Sequence, residues 1–416
     1  MAHLGFLTLN VMGHLFPMST LALQLRSRGH RVTFFTLPDS KAFLLEAGVE
    51  CVVIGKDEFP LGYTRKMIDE LSRMNGARGI QFTIKFLCKE VSAQLSELPG
   101  AIRETGIDAL VIDQFFIGGS TVAEHLRLPY VHVANALLAN VDTRVPPITF
   151  NWSGNDSPPA VVRNRMAHAL MRTLFQAVRK ELNARRREWG LPLYTEFLNE
   201  RFGAQPQICQ QPRSFEFPRA LPPSFHFVGP LHHHESRMKA PFPWERINGR
   251  PLIYASMGTL QNGLDWVFRT IAEGCVGLDA QLVLSLGGNL DPKQFSDLPG
   301  DPVVVQFAPQ LDLLKRATLC VTHAGLNTAL ESLAHGVPMV AIPITNDQPG
   351  VAARIAWTKT GQVVPLKKLK PKALRTAVKT VVAMPSYREN ARRLQDEIAQ
   401  LNSLERASEI VESVLR

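Results

Sequence analysis

Residues 321–343 read VTHAGLNTALESLAHGVPMVAIP and set His323, Asn327 and Glu331 at four-residue intervals directly behind an apolar run. The pattern is strand, turn, helix. LCVT forms the strand, His323-Ala324-Gly325 the turn, and Asn327 to His335 the helix, closed by Gly336 and then Pro338. Free N–H groups and the positive end of the helix dipole favour an anion at such a helix start. His323, Asn327 and Thr328 beside that end suit a phosphate, and Gly325 lets the backbone approach it. Glu331, one turn beyond Asn327 on the same face, suits a sugar diol better. Read alone, Asn327 serves equally as a helix N-cap and His323 as a core histidine.

Other strand ends carry compatible groups. Ser256 and Thr259 flank Gly258 on another strand-to-helix loop; Gly287 and Gly288, Phe307 to Gln310, and Thr345 to Gln348 end further apolar runs. In open parallel sheets, ligands bind at the carboxyl ends of the strands. Near the N-terminus, NVMGHLFP puts His14 in the loop between the first strand and the first helix, and Asp113 ends the run VIDQ. A histidine oriented by a buried carboxylate is a general base with a fixed tautomer. The adjacent helix start disfavours the imidazolium and Asp113 favours it, a balance suited to work near neutral pH. There is no GxSxG elbow for a serine hydrolase and no GxGxxG dinucleotide fingerprint.

The elements that must position these groups alternate strand and helix. HLGFLTLN, a helix from Phe16 to Arg28 stopped by Gly29, and RVTFFTL make one βαβ unit. Val49–Ile54, the helical stretch Ile80–Leu98, DALVIDQ, a helix over TVAEHLRL, and YVHVA continue it. After a Pro- and Gly-rich loop (VPPITFNWSGNDSPPA) comes a long basic helical stretch in which Met166, Leu170, Leu174, Val178 and Leu182 recur every four positions. It reads as a helix lying on a domain, with a basic amphipathic surface for anionic lipid as the alternative. GPLHHHESRMKAPFPWERING reads as a linker, its three histidines as linker surface. A second α/β series, PLIYASMGT, QLVLSLGG, VVVQFAPQ, LCVTHAG and MVAIPIT, follows. The expectation is an α/β protein of two doubly wound, Rossmann-like domains around a cleft. Residues 1–230 would form the first domain, 231–249 the linker, 250–398 the second domain, and 399–416 a helix packing back on the first domain.

With 416 residues, 45% of them hydrophobic, there is chain enough for two cores. The net charge of +9 favours anionic partners, but the basic residues are spread out, and no motif points to nucleic acid. Five scattered cysteines fit buried thiols in a reducing compartment rather than a zinc or redox site. The first residues lack a signal-peptide pattern, and no apolar stretch has the ~20 residues of a spanning helix. The expected location is therefore cytoplasmic, with peripheral contact on the inner face of a membrane as a further expectation. No obligate protein partner is evident.

FAPQ followed by THAGLNTALESLAHGVPMVAIPITNDQ resembles the donor-binding signature of family-one, nucleotide-sugar-dependent glycosyltransferases of the GT-B fold. Within that family GHRVTFF, FPRALPPSFHFVGPL, ASMGTLQ and DQPGVAARI look most like the bacterial carotenoid (zeaxanthin) branch; macrolide and flavonoid enzymes share the donor box but fit these stretches less well. The resemblance implies that His14 deprotonates the acceptor and Asp113 orients it. It implies that Phe307 stacks on uracil, Ala308 meets the base through its backbone, and Gln310 and Glu331 hold the ribose. His323, Asn327 and Thr328 with Thr259 would hold the diphosphate, and Asp347 and Gln348 the sugar, in the form associated with glucose donors. Two departures stand out. Phenylalanine replaces tryptophan at 307, and Pro349-Gly350 follows Asp-Gln where plant members are more polar.

The implied activity is an inverting transfer of glucose from UDP-glucose to an apolar, hydroxylated acceptor, with no cofactor and no metal. Zeaxanthin is the expected acceptor, and flavonoids, other small phenols or macrolides are the alternative. A UDP-sugar epimerase and a non-catalytic binding protein are rival readings. Phe86, Phe116, Leu137, Phe150 and Trp152 are candidates to line the acceptor pocket, with core packing an equal reading for Phe86.

Overall fold

The computed structural model describes residues 1–72, 76–232, 240–258, 264–287 and 290–415. Seven strands form the first sheet: β1 (His3–Leu7), β2 (Arg31–Thr36), β3 (Glu50–Val53), β4 (Ala109–Asp113), β5 (Tyr130–Ala134), β6 (Gln207–Cys209) and β7 (Phe225–Phe227), in the order β3-β2-β1-β4-β5-β6-β7. Six form the second: β8 (Leu252–Ser256), β9 (Gln281–Ser285), β10 (Val303–Val305), β11 (Ala317–Thr322), β12 (Met339–Ala341) and β13 (Gly361–Val363), in the order β10-β9-β8-β11-β12-β13. Every pairing among the described residues is parallel. Parallel sheets are covered by helices on both faces, so their strands read as unbroken apolar runs. HLGFL, ALVID, YVHVA, LIYAS and QLVLS are buried throughout. Two α/β units of this kind were expected, and two are present.

Strand order reverses between β1 and β4 in the first sheet and between β8 and β11 in the second. These switch points open a crevice at the carboxyl ends of the strands. The two crevices face each other. The backbone N–H of Leu137 donates to Asp347 Oδ2 (3.3 Å), and that of Gly350 donates to the Ile148 carbonyl (3.1 Å). The helix Ser403–Ser413 lies on the helix Met12–Ser27 of the first unit, with Ala407 and Val411 in that unit's core and Arg28 paired to Glu405 and Glu412. The preceding helix, Pro385–Gln400, packs on Leu326–Ala334.

Two local expectations are corrected. The first helix starts at Met12, not Phe16, so His14 stands in its first turn rather than in a loop. The basic stretch is two helices, Pro158–Leu174 and Gln176–Glu188, broken at Phe175. The four-residue stripe therefore divides: Val178 and Leu182 are buried in the first unit's core, whereas Met166 and Leu170 face solvent.

Candidate functional site

β1 and β4 are neighbours with Leu7 opposite Ile112, so Asp113 and the turn after β1 emerge side by side. His14 Nδ1 lies 2.6 Å from Asp113 Oδ2. Asp113 is fully buried and held by more than His14. Its Oδ1 accepts the Phe115 N–H (2.8 Å), and its Oδ2 also accepts Asn135 Nδ2 (2.6 Å). Gln210 Nε2 donates in turn to Asn135 Oδ1 (2.6 Å). An ionised carboxylate only accepts, so Nδ1 must carry the proton, and neutral His14 keeps its lone pair on Nε2.

Burial opposes ionisation of Asp113, but the His14 charge, its hydrogen bond, the Phe115 N–H and Asn135 outweigh it and hold the carboxyl below its usual value. Burial likewise opposes charge on His14, yet Asp113, and Asp347 across the cleft, raise it above 6.5. An NMR titration should therefore find the His14 ring changing charge above pH 6.5, so that it is free to accept a proton only on the alkaline side. A midpoint below 6.5 would contradict this arrangement.

In the second unit Thr322 pairs with Ser256, which brings the turns after β8 and β11 together. The helix after β11 is Leu326–Ala334 with Gly325 at its N-cap. Asn327 is thus not the cap. It lies in the first turn, and its amide donates across the cleft to the Gly13 carbonyl. Gly13 is available because Pro17 sits four residues on and has no N–H to give it. Thr328 is buried in the same turn.

The His323 ring fills the space where a Cβ on Gly258 or Gly325 would stand. Burial holds its pKa down to about 4, against a small opposing contribution from the Ser256 backbone. Its Nδ1 is buried without a hydrogen-bond partner among the described residues, while the Nε2 side of the ring faces Gly258 and Gly325. Gly258 N–H approaches Ser256 Oγ (3.4 Å).

Glu331 is buried and accepts Gln310 Nε2 (2.5 Å), while Tyr254 Oη donates to Gln310 Oε1 (2.9 Å). Glu331 and Asn327 line a small recess with Pro17, Gln210 and Leu231. Phe307 is 44% exposed, an open ring face next to the partly buried Ala308. Asp347 stands at the N-cap position of the helix Gln348–Trp357 without a side-chain cap bond, and Gln348 Oε1 accepts the N–H groups of Ile344 and Thr345. Thr259 and Gly288, like His233 and His234, lie outside the described residues. Among the described residues no cluster of metal-ligating side chains occurs.

The candidate acceptor residues divide. Phe116 lines a recess with Phe59, Glu90 and Asn10. Phe86 joins Phe59 and Tyr63 in an aromatic cluster beside it. The Leu137 side chain is fully buried in the second unit's core, against Gly350. Phe150 and Trp152 pack on each other, with Arg163 over the indole.

Sequence reasoning missed Asn135, Gln114 and the Gly13–Pro17 pair. Gln114 Nε2 donates to the Ala136 and Leu137 carbonyls, shaping the loop whose Leu137 N–H holds Asp347. A polar residue just past the end of β5, the neighbour of β4, was the available signal for Asn135.

The sequence profile of the family described as UDP-glucoronosyl and UDP-glucosyl transferase matches residues 10–416. A zeaxanthin glucosyltransferase from Pseudescherichia vulneris is 31% identical over 88% of this chain and 86% of its own. One from Pantoea ananas is 28% identical over 100% and 96%. Among solved structures, the calicheamicin glycosyltransferase superposes with a TM-score of 0.73 at 25% identity, covering 100% of this chain and 98% of that one. The glycotransferase of kitacinnamycin does so with 0.77 at 22% identity, covering 100% and 99%, a likeness of fold.

Proposed function

The chain belongs to the UDP-glucoronosyl and UDP-glucosyl transferase family, and on that premise we propose that it transfers glucose from UDP-glucose to a hydroxyl of an apolar acceptor such as zeaxanthin, with inversion and without a metal. The observation that carries the reading is the His14–Asp113 pair, aimed from one unit at a cleft whose other wall presents Asp347. His14 Nε2 takes the acceptor proton as its oxygen attacks the anomeric carbon. Asp113 holds the tautomer and stabilises the imidazolium that forms. The helix start at Leu326, the neutral His323 ring and Thr328 meet the negative charge growing on the departing diphosphate. Phe307 offers its face to the uracil, and Gln310 with Glu331 the ribose contacts. Asp347 and Gln348 orient the sugar.

Similarity to two zeaxanthin glucosyltransferases supports the acceptor class. Mass spectrometry of reactions with UDP-glucose and either zeaxanthin in detergent or a flavonol in buffer tests it. A hexose on zeaxanthin supports the proposal. A hexose on the flavonol alone reassigns the acceptor to small phenols, and none on either overturns the activity.

Gly325 gives a local test of the diphosphate seat. Its φ of −64° suits alanine, so the backbone is unstrained and the added Cβ acts through the His323 ring it would collide with and the close backbone approach it would block. Gly325→Ala should displace the ring and weaken UDP binding about tenfold or more, the worth of a hydrogen bond to a charged group. Calorimetry showing unchanged UDP affinity would remove His323 from the seat.

A further inference from the structure

The helix Pro158–Leu174 is packed the wrong way round for a soluble surface. Its inward side buries small or polar residues, Ala160, Asn164 and Ala167. Its large apolar residues point out: Val162 is 55%, Met166 70% and Leu170 54% exposed. An ordinary surface helix does the reverse. At about 100° per residue, Val162, Met166, Ala169 and Leu170 form one outward stripe. Arg165 and Arg172 flank it on one side and Arg163 on the other. From Ser157 to Lys180 there are five cations and no acidic residue. Arg172 reaches Glu196 at 3.4 Å, an exposed pair. Arg165 is exposed and makes no ion pair among the described residues. Arg163 lies over Trp152 in the preceding loop, which puts an indole at the rim of the stripe.

We propose that this helix face docks on an anionic lipid bilayer, inserting Val162, Met166 and Leu170 among the acyl chains while the arginines bind headgroup phosphates. Charge selects this occupant. An apolar stripe bordered by cations, on a stretch with no acidic residue, complements a negative surface and repels a second copy of itself. No helix among the described residues is long and apolar enough to cross a membrane, so the contact is interfacial. The proposal does not depend on the reaction assigned above.

Vesicle flotation tests it, using equal parts phosphatidylglycerol and phosphatidylcholine against phosphatidylcholine alone. The full chain should float with the anionic vesicles, less in high salt, and not with the neutral ones. Met166→Ser/Leu170→Ser should lower partition about tenfold or more through lost apolar insertion. Arg165→Glu/Arg172→Glu should do the same, at about fivefold per charge. All these positions are exposed, so both variants should keep the wild-type helix content and thermal midpoint. Three results would overturn the proposal: no flotation with anionic vesicles, variants that float as well as wild type, or a dimer split by Met166→Asp with no vesicle binding, which would assign the face to a second copy.

Discussion

Replacing His14 by alanine is expected to lower kcat about 10²–10⁴-fold, the usual worth of a positioned general base, while UDP affinity stays unchanged. The split follows from geometry. His14 hangs from the first unit, tied to Asp113 at 2.6 Å, whereas the proposed donor contacts lie on the second. Removing the ring deletes the proposed proton acceptor and leaves the helix start, His323, Gln310 and Glu331 untouched. Asp113 would remain buried with Asn135 and the Phe115 N–H as partners, so the fold should survive. Steady-state kinetics with calorimetric UDP binding would check it. A His14→Ala protein with full turnover would remove His14 from the mechanism.

The largest effect on stability is expected at Glu216. Its side chain is wholly buried where the two units meet, accepting Arg354 Nη2 from the second unit (2.5 Å), Arg219 Nη2 (3.2 Å) and Gln211 Nε2 (2.7 Å). Glu216→Ala would leave two buried guanidinium groups without their anion, at a cost of about 3–5 kcal/mol. Glu216→Leu combined with Arg354→Met should recover part of that loss, because the unpaired charge goes with its partner. Burial opposes ionisation of Glu216, but Arg219 and Arg354 outweigh it and depress its pKa below 4.5. A depressed carboxyl pKa gives stability that is present above the unfolded value and is lost as pH falls through the folded one. The difference between wild type and Glu216→Leu/Arg354→Met should therefore narrow on acidification below 4.5. Denaturant midpoints would show it; a Glu216→Ala midpoint no lower than that of an exposed Glu245→Ala control would contradict it.

Much of the architecture is legible in the chain because parallel strands buried on both faces announce themselves. ALVID, YVHVA, LIYAS and ATLCVT need no alternation to be recognised, and glycines mark where their helices stop. The strands β6, β7 and β13 are three residues each, too short to show a period, and are fixed only by pairing to a neighbour. His14 and Asp113 are legible as a pair because strand ends at a switch point converge. Their supports are not. Asn135 matters through a 2.6 Å contact that no spacing reveals.

Contacts between the units are the least visible. Gly350, notable in the sequence only as a departure from plant relatives, is required because a Cβ there would collide with the Ile148 carbonyl. Asn327 looks like a helix cap, but Gly325 holds that position, and the Asn327 amide meets Gly13, whose carbonyl Pro17 has set free. Leu137, chosen as an acceptor contact for its apolar character, is claimed by the core of the opposite unit.

The central claim is a single displacement with His14 as the base, and the anomeric configuration of the product tests it most directly. UDP-glucose carries its sugar in the α configuration. NMR of the glucoside formed from UDP-glucose should show a β linkage, as one in-line attack by the acceptor oxygen requires. An α linkage would demand two displacements or a front-face route, and would contradict the account of this cleft.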